Sequence, residues 1–234
     1  MYNYNYSEDY LMHYGVKGMK WGVRRASKLQ SYASGARESA AEQMELSKHY
    51  AAKGRTRKAE KHAKIAAEES AKAAKYQQKA DKKVEKRYAK AGKAAGSADY
   101  MRDRAKQIED NHNKGASALD KTAKRLDSEG KHLRAEAARA SAQALRNKGA
   151  NDASSYRKTA DAYMKKSDKL NKKAKDFATT TNINVGKKKI DSVLASSRKT
   201  GYKNAKAGDE FQREREVEDK YGSTAAEVYR KVKK

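Results

Sequence analysis

The chain runs for 234 residues without a single proline, where average usage would supply about twelve. Proline removes a backbone donor and clashes with the preceding turn, so it is the residue that most reliably interrupts a helix. From Ala26 onward the sequence is dominated by Ala, Lys, Glu and Arg, residues that favour long helices. Hydrophobic residues make up 37% of the chain, and many are alanines that bury little apolar area, so a thick core is hard to build. The expected fold is all-α: several antiparallel, amphipathic, Ala-rich helices in a bundle or an extended stack with coiled-coil-like seams, preceded by an irregular N-terminal tag.

Small and apolar residues recur at alternating steps of three and four, the spacing of one helix face. Leu29, Tyr32, Ala36, Leu46 and Tyr50 form a first seam, and Gly54 follows as a break. Ala59, Ala63, Ala66, Ala73, Ala80, Val84 and Ala91 form a second, which Gly92 and Gly96 are expected to end. Further seams are Met101, Ala105, Ile108, Leu119 and Leu126; Leu133, Ala137, Ala140 and Ala144; and Tyr156, Ala160, Tyr163, Leu170, Ala174 and Phe177, with Gly115, Gly130 and Gly149 at or near the gaps. The stretches 54–90 and 130–166 are loosely alike, as a duplication or shared Ala and Lys content would make them.

Residues 178–189 are β-branched and Asn-rich and read as a linker or short extended segment. The organisation expected is a tag over 1–25, a basic multi-helix body over 26–177, the linker over 178–189, and a C-terminal helical unit over 190–234 that divides near Gly208.

Fifty-six Lys and Arg face 30 Asp and Glu, a formal charge of +26. Such an excess repels itself when compacted and points to an acidic partner: DNA, RNA, anionic lipid or an acidic protein surface. Lys and Arg occur beside Tyr in two clusters, Lys82, Lys83, Lys86 and Arg87 before Tyr88, and Lys165, Lys166 and Lys169 after Tyr163. Clusters of this kind neutralise phosphates without reading bases. They serve equally as a solvated helix surface, while Tyr156 and Tyr163 lie at seam spacing.

Other classes find little in the sequence. Cysteine is absent, so disulfides and thiolate metal sites are excluded. His13, His49, His62, His112 and His132 are scattered without a compact ligand pattern. Gly186-Lys187-Lys188-Lys189 lacks the first Gly and the hydroxyl residue of a nucleotide-binding loop, and Gly15-Val16-Lys17-Gly18 lacks the strand and helix that flank a KH-type clamp. No enzymatic activity, cofactor or metal is expected. No apolar run approaches a membrane span and no signal peptide is evident, and seams of Ala would gain little by inserting into lipid.

The most specific segment is His13-Tyr14-Gly15-Val16-Lys17-Gly18-Met19-Lys20-Trp21-Gly22-Val23-Arg24-Arg25, which follows tyrosines at 2, 4, 6 and 10. Through His13, Gly15, Val16, Gly18, Lys20, Trp21, Gly22, Val23, Arg24 and Arg25 it resembles a short module found near an end of otherwise unrelated structural proteins of bacteriophages and prophages of Gram-positive bacteria. In many relatives an aromatic residue and an Asp/Asn-Gly-Ser-Leu-Thr-like segment follow the arginine pair, whereas here Ala26-Ser27-Lys28 leads into a helix. The resemblance implies a virion or head-assembly setting, with these ten residues docking to a capsid, portal or packaging partner and with the protein in the virion or host cytoplasm. Trp21 reads equally as an anchor packed on the first helix.

The function expected is therefore that of a phage head-associated structural protein, internal, basic and helical, contacting packaged DNA nonspecifically. The alternatives are a scaffolding protein acting through helix association, including with copies of itself, and a regulator or anti-host factor delivered with the genome.

Overall fold

The computed structural model describes residues 21–232. Among the described residues the chain is all-α, with five helices and no strand: α1 (Trp21–Ala52), α2 (Thr56–Ser128), α3 (His132–Thr180), α4 (Lys187–Tyr221) and α5 (Ser223–Val232).

Three of the connections are built alike. After α1, the N–H of Arg55 donates to the Tyr50 carbonyl and that of Gly54 to Ala51; after α2, Lys131 donates to Leu126 and Gly130 to Asp127; after α3, Ile183 donates to Ala178 and Asn182 to Thr179. Each is a cap closed by one residue in the left-handed region, with φ of 67° at Gly54, 72° at Gly130 and 49° at Asn182. Glycine adopts that backbone freely and asparagine is the next best choice.

Helix pairing rests on alanine at seven-residue intervals. Buried positions at this interval are Ala26, Ala33 and Ala40 on α1; Ala59, Ala66, Ala73 and Ala80, then Val84, Ala91, Ala98 and Ala105, then Ala116 and Ala123 on α2; and Ala135, Ala142, Ala153, Ala160 and Ala174 on α3, with Ser167 filling the gap in the last run. A seven-residue step is the period of left-handed helix pairs, and the four-residue shifts, such as Ala80 to Val84, locally unwind it. Each buried methyl contributes about 0.8 kcal/mol. The main gain is that methyl side chains let backbones approach.

The expected phase differs from this in two places. On α1, Tyr32 and Leu46 of the expected seam are exposed, and Ala26, Ala33 and Ala40 take the inward face. The seam proposed through Leu133, Ala137, Ala140 and Ala144 is exposed, Leu133 at 84%, and Ala135, Ala142 and Gly149 face inward instead. Leu133 sits next to the Gly130 turn, where the pattern of large apolar residues no longer reports the buried side. Nor do Gly92, Gly96, Gly115, Gly149 and Gly208 end helices, since all five lie inside α2, α3 or α4. The break in the C-terminal region falls at Gly222 (φ 84°). The predicted linker shrinks to 181–186, where Thr181, Ile183 and Val185 are buried and alternate with exposed Asn182 and Asn184, as an extended segment requires.

The chain divides into two compact units. The first takes the chain up to Arg87 together with Lys172–Ile190. In it α1 and α2 run antiparallel around the Gly54 turn, joined by Ser47 donating to the Ala59 carbonyl, His62 with Gln43 and Arg37 with Gln77. Tyr32 meets Tyr76, and Tyr50 stacks on His62 at 5.2 Å.

The second unit takes Tyr88–Asn171 and Asp191–Lys234. Here α4 lies parallel to α2 at very close range. A Cβ on Gly92 would stand 2.7 Å from the Leu194 carbonyl oxygen, one on Gly96 would fall on the Arg198 carbonyl oxygen, and one on Gly201 on that of Lys93. Gly92 and Gly96 on α2, and Ser197 and Gly201 on α4, thus form matching small-residue pairs four apart. The glycines expected as helix stops are contact points between helices.

Candidate nucleic-acid interface

The two basic clusters belong to different units. In the first, Lys82 and Lys86 are exposed and Lys83 half-buried on α2. They flank buried Val84, which orients the helix and turns them outward. Arg87 is engaged differently: its guanidinium lies 3.7 Å from the centre of the Phe177 ring, a cation–π contact that spends much of its reach on packing. In the second unit Lys165, Lys166 and Lys169 are exposed on α3, turned outward by buried Ala160, Ser167 and Ala174. Ser167 donates to the Ala91 carbonyl at 3.0 Å, and Lys166 lies 6.0 Å from the Tyr163 ring. Among the described residues none of these six lysines forms an ion pair, so their charge is directed to solvent. Two neighbouring carboxylates are taken up by other cations, Glu85 by Lys189 at 2.6 Å and Asp161 by Arg102 at 3.7 Å.

Of the segment expected to dock to a partner, His13, Gly15, Val16, Gly18 and Lys20 lie outside the described residues. Trp21 and Gly22 open α1, followed by half-buried Val23 and Arg24 and exposed Arg25. The helix therefore takes in part of the stretch expected to be irregular.

One cluster was not foreseen. Asp209 on α4 is 8% exposed. Its Oδ2 accepts from the Tyr100 hydroxyl at 2.5 Å and from Arg213, its Oδ1 accepts from Tyr156 at 3.2 Å, and Arg104 Nε stands 3.7 Å away. The carboxylate thus ties α2, α3 and α4 together. Burial pushes its pKa up, but hydrogen bonds from Tyr100 and Arg213 and the charge of Arg213 outweigh this and hold it below the ordinary carboxylate range. Burial, then the bond to Asp209, raises Tyr100, and burial and the Asp209 charge raise Tyr156. Accepting hydrogen bonds from two phenols and a guanidinium, the carboxylate locks three helices. The Tyr100–Arg104 and Asp209–Arg213 spacings of four were the available sequence signals.

Among the described residues no group of three or more His, Asp or Glu is placed to hold a metal ion, and no helix is long and apolar enough to cross a membrane.

A model described as a family of unknown function (DUF7211) matches residues 5–28. The match contains the whole His13–Arg25 segment and ends within the second turn of α1; the rest of the chain lies outside it. No curated protein and no solved structure matches the chain.

Proposed function

We propose that this chain is a non-enzymatic structural protein of a bacteriophage particle that contacts packaged DNA nonspecifically, with the segment from His13 to Arg25 docking to a capsid, portal or packaging partner. The observation that carries the DNA contact is a +26 charge whose lysine clusters at 82–86 and 165–169 are not neutralised by carboxylates of the chain. Such charges bind phosphate and release counterions irrespective of base sequence. The setting in a particle rests on the resemblance of the docking segment.

The test is binding to random duplex DNA across a salt series. Affinity should fall steeply with salt, and replacing Lys82, Lys83, Lys86, Lys165, Lys166 and Lys169 together with Ala should lower the log–log slope by up to about 5. Removing residues 1–25 should leave binding intact. Absence of binding at low salt would remove the DNA contact.

A second reading, scaffolding through helix association, is favoured by one observation: α1 leaves Tyr32, Met44 and Leu46 exposed at 45%, 45% and 39%. Association through such residues would persist at high salt, where phosphate binding weakens.

A further inference from the structure

The second unit carries a groove of about 780 Å³ between α3 and α4, floored by Ser97 and Met101 of α2. Tyr163 stands on the α3 side and Phe211 on the α4 side, the latter 60% exposed. Each of these rings has a cation beside it: Lys166 Nζ lies 6.0 Å from the Tyr163 centroid and the Arg215 guanidinium 5.7 Å from that of Phe211. Among the described residues neither cation forms an ion pair.

We propose that this groove takes the bases of single-stranded nucleic acid, which stack on Tyr163 and Phe211 while Lys166 and Arg215 hold the flanking phosphates. The proposal rests on the reading that the chain contacts nucleic acid, and adds a second mode beside duplex binding.

Three features favour this occupant. Paired rings and unneutralised cations match the alternation of base and phosphate along a strand, and stacking tolerates any base. Polar side chains also line the groove: Asn204 and Gln212 present amides able to donate to and accept from base edges. An acidic amphipathic helix would want a continuous apolar floor, and Met101 is the one large aliphatic residue lining it. The groove is also held open. Tyr156 at its inner side is fixed to Asp209, and Gly208 places no side chain in the space, since nothing lies within 4 Å of a Cβ built there.

That bare position supplies a clean test. Gly208→Leu would fill the groove from a helical site with room for the side chain, and Phe211→Ala would remove an exposed ring; neither disturbs the packed seams. The full chain and both variants would be titrated with a fluorescent oligothymidylate and, separately, with random duplex. Each variant should weaken oligothymidylate binding roughly ten-fold while duplex binding changes less than two-fold. A strand carrying 5-iodouracil should crosslink to Phe211 or Tyr163. Oligothymidylate affinity unchanged in both variants, crosslinks confined to other residues, thymidine monophosphate binding as tightly as the strand, or a preference for an acidic helical peptide over the strand would each overturn the proposal. Duplex binding that fails while variant-sensitive strand binding persists would remove only the function proposed above.

Discussion

The α1–α2 hairpin of the first unit and the α2–α3–α4 packing of the second use the same alanine interval, yet are fixed by different means. In the hairpin, register depends on a turn at Gly54 and a few partly exposed contacts such as Tyr50 on His62. In the second unit, backbones touch at Gly92, Gly96 and Gly201, and a buried carboxylate binds three helices at once. Periodic methyl groups bring helices together, but specific groups decide which position meets which.

Breaking the lock should have the largest effect. Asp209→Ala strands Arg213, Arg104 and two phenols and should cost about 3 kcal/mol or more, read as a drop in the urea midpoint. Next, Gly96→Ala forces α2 from α4 and should cost about 1–3 kcal/mol; Gly35→Ala, in α1 with nothing within 4 Å of the new Cβ, should instead stabilise by about 0.5–1 kcal/mol. Hydrogen exchange sharpens the contrast: amides at 91–105 should exchange more slowly than those at 26–50 in the same sample.

The smallest expected effect is a pH dependence arising at the Asp209 cluster of the second unit. The Asp209 carboxyl is depressed on folding, so its contribution is present above the unfolded value near 4 and is lost as pH falls through the lower folded value. Tyr100 and Tyr156 are raised, so theirs is present below the unfolded phenol value near 10 and is lost as pH climbs through the folded values. Urea midpoints measured against pH should show both edges in the parent chain, and the acid edge should be weakened in Asp209→Asn.

The all-α class was legible in the sequence because proline absence and alanine periodicity act locally on every turn. The same holds for Gly54 and Gly130, which stand between two uninterrupted helical patterns. Gly92 and Gly96 misled because a glycine that ends a helix and one that admits a neighbouring backbone look identical until the partner, here Ser197 to Gly201 about a hundred positions on, is in place. Asp209 was hidden for a related reason: its phenols come from two other helices. The lysine clusters were readable as charge, but that Arg87 would turn toward Phe177 depended on a residue 90 positions away.

Gly54 and Gly130 stand 76 positions apart, and buried Ala59, Ala66, Val84, Ala91 and Ala98 recur at that offset as Ala135, Ala142, Ala160, Ser167 and Ala174. Stretches with interchangeable contact faces can trade partners. A lengthened or straightened Gly54 turn would free α1 to pair with the α2 of another copy through the same contacts. Replacing this one glycine with a residue that resists positive φ is thus a route to an exchanged dimer, in which each hairpin is completed by its neighbour.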